Sequence, residues 1–165
     1  MADQLVLRIG PGLLQEGPSD ETAHFLTGAV VLAALPGVGS RSFAVGLLVA
    51  SVAIDLDHVP GLLGDQWITR TTQRPYPHSL LTLTLVILAA VAWPARRRLL
   101  VGAALGLTAH FMRDLSESSA GVPLLWPWSS HAYTMPHWTY LAALAGVVAV
   151  ALARTRRRPP AGFSG

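Results

Sequence analysis

The chain has no cysteine, no lysine and few charges of either sign. Without cysteine there is no disulfide framework, no thiolate zinc site and no cysteine nucleophile. Charged residues are 13% of the 165, where an ordinary soluble domain carries roughly 25%. Hydrophobic residues are 52% and the mean hydropathy is +0.45. That balance excludes a disordered chain and a coiled coil, and argues against an ordinary soluble domain. The length is that of one domain. All 12 basic residues are arginine, and the pI is near 10.2. Such a pI suggests nucleic acid only if the arginines share a suitable face.

What is present is five apolar segments: 22–36, 42–59, 78–94, 99–115 and 137–153. Each is close to the lower limit of the roughly 17–25 residues of a membrane-spanning helix. Helices of a soluble bundle would carry a charged face at 3.6-residue spacing. Residues 79–93 and 138–153 instead contain no charge at all. Gly, Ala, Ser and Thr within the segments permit close helix packing. The expected fold is all-α, a polytopic membrane bundle of about five transmembrane helices. The expected organisation is an extracytoplasmic N-terminal segment over 1–21, a transmembrane helical domain holding the site over 22–153, and a basic cytoplasmic tail over 154–165. The first segment does not read as a secretory signal peptide, because the acids Glu16, Asp20 and Glu21 precede it rather than a basic stretch. Ser19 reads as its N-cap, and the tail after 158 reads as disordered.

If the helices alternate in direction, eight of the 12 arginines fall on one side: Arg41, Arg96, Arg97, Arg98, Arg154, Arg156, Arg157 and Arg158. The other side holds Arg8, Arg70, Arg74 and Arg113, with all nine carboxylates and all six histidines. The positive-inside rule makes the arginine side cytoplasmic, facing anionic lipid. The pI then reflects topology, and a nucleic-acid partner loses its support.

The acids and histidines converge at the other face. His24 opens the first segment, Asp55, Asp57 and His58 end the second, His78 opens the third, and His110 and Asp114 end the fourth. His110 and Asp114 are at i,i+4, on one helix face. The three aspartates lie near helix C-termini, where the macrodipole disfavours anions and a cation would relieve the conflict. Ionisable residues within a membrane protein are candidates for function by default. Mixed His/Asp ligation suits zinc, with manganese or iron as alternatives, and seven ligands suit one or two ions. Asp55 or Asp57 is the candidate general base, and Arg74 and Arg113 are candidates for gripping a phosphate or carboxylate. His131 and His137 lie in the loop beyond the fourth segment. Trp126, Trp128, Tyr133, Trp138 and Tyr140 read as an interfacial aromatic belt.

From residue 22 to 128 the chain resembles the small inner-membrane metal-dependent hydrolases, the group that includes the LexA-binding putative hydrolase of enteric bacteria. The resemblance rests on His24, the D-x-D-H element at 55–58, the His78-Ser79 pair, the H-x-x-x-D element at 110–114, and the run Gly121-Val-Pro-Leu-Leu-Trp-Pro127. Gln73-Arg74 stands where that family has His-Arg, and Pro77-His78-Ser79 where it has Thr-His-Ser. The arrangement, though not the alignable sequence, is also similar to zinc-dependent phospholipase C. The resemblance implies a divalent-metal hydrolase of the bacterial inner membrane. A site at the extracytoplasmic face would meet an ester or phosphoester of a lipid-like, amphiphilic substrate. The alternative is a non-enzymatic interaction or regulatory protein with a structural metal. A transporter would need ionisable groups along a path through the membrane, and the helix centres lack them.

Overall fold

The computed structural model describes residues 11–35, 40–59, 74 and 76–156. Asp3, Arg8, Asp65, Arg70, Gln73, Arg157, Arg158 and the tail after 158 lie outside the described residues. Among the described residues the protein is all-helical. Its helices are α1 (Pro11–Ala33), α2 (Arg41–Ala53), α3 (Leu80–Ala92), α4 (Arg97–Glu117) and α5 (His137–Arg156). Short 3-10 turns follow α2 (Ile54–His58) and precede α4 (Pro94–Arg96).

Each of the five expected segments contains a helix, but the lengths differ from expectation. α1 begins at Pro11, so Ser19 is interior to it and is not its N-cap. Proline suits a first helical turn, where its missing N–H is no loss. α2 and α3 have 13 residues each, about 20 Å at the α-helical rise. Among the described residues only α5, over His137–Arg154, is long and apolar enough by itself to cross a membrane. α3 and α4 pass together only as a pair bent by 113°. The cause is visible in α1 and α4, which have the length but carry acids and a histidine each, with arginines as well in α4.

α2 and α4 form the most extensive helix pair. Glycine makes their approach. A Cβ on Gly102 would lie 2.2 Å from the Phe43 carbonyl oxygen, and one on Gly106 would lie 2.3 Å from that of Leu47. Both ladders step by four residues, one turn each. The next step pairs His110 with Ser51, and there the His110 Nδ1–H donates to the Ser51 carbonyl at 2.9 Å. Small residues thus bring the backbones together until a histidine can reach across.

Apolar surface faces outward. On α3 only Ala90 is buried, while Leu85, Ile87, Leu88 and Val91 are exposed. Trp138, Leu141, Val150 and Leu152 are exposed on α5. Exposed apolar area on this scale marks a lipid or protein contact. α5 is joined to α1 by Tyr140, which is buried, with its hydroxyl 2.6 Å from that of Thr27. Tyr140 is therefore a packing residue, whereas Trp128 and Trp138 are exposed.

Candidate metal centre

The elements carrying the site meet at the C-terminal ends of α2 and α4. The 3-10 turn tightens the end of α2 and presents Asp55, Asp57 and His58 within one short arc. α1 supplies His24, and the segment entering α3 supplies His78. That entry is pinned by the Gly121–Pro127 run. Gly121 adopts a left-handed φ of 69°, Val122 bridges to Tyr133, and the Leu124 carbonyl accepts from the Leu80 N–H at 2.9 Å. Tyr76 stacks on Trp126, with ring centroids 4.5 Å apart.

His24, His78 and His110 are fully buried and Asp114 nearly so. The structure brings together all seven residues singled out from the sequence. His78 Nε2 is 3.3 Å from His110 Nε2 and 3.2 Å from Asp55 Oδ1. His110 Nε2 is 3.5 Å from Asp55 Oδ1 and 3.2 Å from Asp114 Oδ2. His78 Nε2 is 3.5 Å from Asp114 Oδ2. Four atoms on four residues are thus separated by 3.2–3.5 Å along five edges. A tetrahedral ion with ligand bonds of about 2.0–2.1 Å has edges of about 3.3–3.4 Å.

His24 approaches the other oxygens of the same carboxylates. Its Nε2 is 3.3 Å from Asp114 Oδ1 and 3.9 Å from Asp55 Oδ2. Its ring stacks on His110, with centroids 3.8 Å apart and planes 18° from parallel. Neither ring nitrogen of His24 has a hydrogen-bond partner, and Asp55 Oδ2 has none either. A buried polar atom left unpaired is expensive unless something else satisfies it. Imidazole nitrogens and carboxylates around one point suit a divalent cation.

The ring orientations are fixed from behind. His110 is held by Ser51, as above. His78 Nδ1 faces Asp57 Oδ2 at 3.0 Å, the carboxylate–histidine pairing that orients metal-ligating rings. His58 is the most exposed of the four histidines, with Nδ1 3.1 Å from Asp57 Oδ1 and 3.6 Å from Asp55 Oδ1.

Arg74 and Arg113 each have carboxylate partners. Arg74 donates to Asp114 and, at 3.4 Å, to Ser118. Arg113 bonds Asp20 and Glu117. Both guanidinium groups thus bond carboxylates in and around the site, where the sequence reading expected them to grip the phosphate or carboxylate of a substrate. The partners Asp20 and Glu117 were missed from the sequence, yet the signal is there: each is at i,i+4 from a site residue, His24 and Arg113. Glu21 was also passed over; its Oε2 is buried and unpaired. His131 is exposed at the side, its ring against Tyr133. His137 is half-exposed, 3.7 Å from Glu117.

Comparison with family models decides the chain's kinship. The YdjM inner membrane protein model matches residues 20–163. The chain belongs to the YdjM inner membrane protein family. Membership makes it a membrane protein of the bacterial inner membrane type, in keeping with the outward apolar faces of α3 and α5. The match to the YdjM family spans every residue of the cluster. No curated protein and no solved structure matches the chain.

Proposed function

We propose that the chain is an integral membrane hydrolase that depends on one or two divalent ions, zinc first, and cleaves an ester or phosphoester of an amphiphilic substrate at the extracytoplasmic face. The observation that carries the reading is the set of five edges of 3.2–3.5 Å among His78, His110, Asp55 and Asp114. These four would hold one ion. His24, with Asp55 Oδ2 and Asp114 Oδ1, offers a second position of three ligands, and a three-ligand position leaves room for water or substrate. An ion there supplies Lewis acidity, lowering the pKa of bound water toward about 7 and polarising the scissile group.

The chain's own residues do the rest. Asp57 and the Ser51 carbonyl hold the His78 and His110 rings with Nε2 turned inward. Arg74 fixes the Asp114 carboxylate, and Arg113 fixes Asp20. Asp55 and Asp57 are occupied by imidazoles, so the proton-carrying role moves to Glu21. Its carboxyl has no partner for Oε2, and Asp55 and His110 are among the groups whose charge it feels. The substrate class follows from position, because a site in a membrane protein meets lipid first.

The test is metal analysis of the detergent-purified full chain, with turnover measured on phosphodiester and carboxylester lipid analogues. His110→Ala and Asp114→Ala should lose both bound metal and turnover. Full turnover by metal-free protein would refute the proposal. The four-ligand position also resembles a closed structural site, which favours the non-enzymatic reading. That reading predicts metal retained at full occupancy with no turnover of either analogue.

A further inference from the structure

Away from the metal cluster, the N-terminal ends of α2 and α4 enclose a groove of about 540 Å³. Arg41, Arg96 and Arg98 line it, with Val45, Pro94 and Leu99 as apolar wall. No carboxylate contributes to the lining. The arginines of the site are braced by acids, but Arg41, Arg96 and Arg98 enter no ion pair among the described residues. Like charges held around a groove at a cost are relieved by an anion.

The surroundings say which anion. α3 presents exposed Leu88 and Val91 and is followed at once by Trp93, which is 63% exposed and lies three residues before Arg96. Val45 and Val49 continue an exposed apolar strip down α2, and Val101 down α4. An apolar band that ends in tryptophan and then arginine is the pattern of a membrane–water boundary. The groove therefore meets lipid tails on one side and offers guanidinium groups to the headgroup on the other. Arginine's planar fork matches a phosphate bidentately. Ser40 caps α2 by accepting from the Phe43 N–H, so the positive end of that helix dipole also faces this region.

We propose that this groove binds the phosphate of an anionic membrane phospholipid, independently of the metal cluster. The site would hold one lipid against α2 and α4 at the end remote from His110 and Asp114. α2 alone separates the two ends by about 20 Å. The proposal rests on membership of the inner membrane family and not on hydrolase activity.

The experiment reconstitutes the full chain in nanodiscs of equal phosphatidylglycerol and phosphatidylcholine, then counts retained lipid by native mass spectrometry. Wild type should retain the anionic lipid over the zwitterionic one by at least about fivefold, the factor that one well-placed arginine supplies. The double variant Arg96→Gln/Arg98→Gln should bring the ratio near one, and Arg41→Gln should lower it partway if the double variant fails to fold. Arg154→Gln/Arg156→Gln, on α5, should leave the ratio unchanged. Equal retention of the two lipids by wild type overturns the proposal, as does an equal fall in the α5 variant, which would mean bulk charge alone. Loss of bound lipid on adding millimolar inorganic phosphate also overturns it, by assigning the groove to a soluble phosphate compound. Full bound-metal content in the groove variants separates this result from that of the metal cluster.

Discussion

Alanine at Gly106 tests whether the glycine ladder sets the site. The new Cβ would meet the Leu47 carbonyl oxygen at 2.3 Å, a backbone atom that cannot rotate away. Relief to 3.0 Å, the shortest separation real Cβ atoms show, needs α2 and α4 to part by about 0.7 Å, and ordinary contact needs about 1 Å. One turn further on, the His110–Ser51 hydrogen bond is 2.9 Å long. The same displacement carries it past about 3.5 Å, where it ceases to be a hydrogen bond. Overpacking costs about 1–3 kcal/mol and the lost bond about 1 kcal/mol. The higher helix propensity of alanine returns up to about 1 kcal/mol. The expected net is a destabilisation of about 1–3 kcal/mol. Zinc affinity should fall about 10- to 100-fold, because the ring that Ser51 orients is released. The assay is thermal unfolding of the detergent-purified chain, paired with competitive zinc titration. Gly146→Ala is the control, since nothing lies within 4 Å of a Cβ there, and it should be neutral or slightly stabilising. If Gly106→Ala matches Gly146→Ala in both readouts, the backbones do not meet as described.

Two further outcomes follow from the geometry. An ion can take an imidazole nitrogen only when that nitrogen carries no proton, so zinc affinity should rise with pH, and calorimetry in buffers of different ionisation enthalpy should register proton release on binding. Tyr140→Phe removes the hydroxyl that donates to Thr27, whose own proton goes to the Ala23 carbonyl at 2.9 Å. Thr27 keeps its donor satisfied, so the cost should be only about 0.5–1.5 kcal/mol by melting, with zinc affinity unchanged.

The site was more legible in the sequence than the helices were. In a nearly uncharged chain, every acid or histidine stands out, and alternating apolar segments suffice to put His24, Asp55, Asp57, His58, His78, His110 and Asp114 at one end. Which oxygen meets which nitrogen depends on the depth of the α2–α4 approach, and that is set by Gly102 and Gly106 against backbone carbonyls, invisible to hydropathy. Helix boundaries were read less well. Apolarity begins near residue 22, but the hydrogen-bonded helix begins at Pro11, because polar residues extend a helix without changing its apolar signature. The pairing of Arg74 with Asp114, 40 residues apart, was hidden, since a free and a braced arginine look alike in one dimension.

A chain with no cysteine cannot brace itself by disulfides. Its cluster draws on residues far apart in sequence, from His24 in α1 to Asp114 in α4. An ion bound there would be a cross-link in all but name. It would close a loop spanning most of the helices, worth about 4–5 kcal/mol by the chain-entropy estimate for a loop of this order. The final joint could form only when α1, α2, the approach to α3 and α4 had all arrived. Ion capture would then mark the end of assembly in the bilayer, and chelation would release that joint.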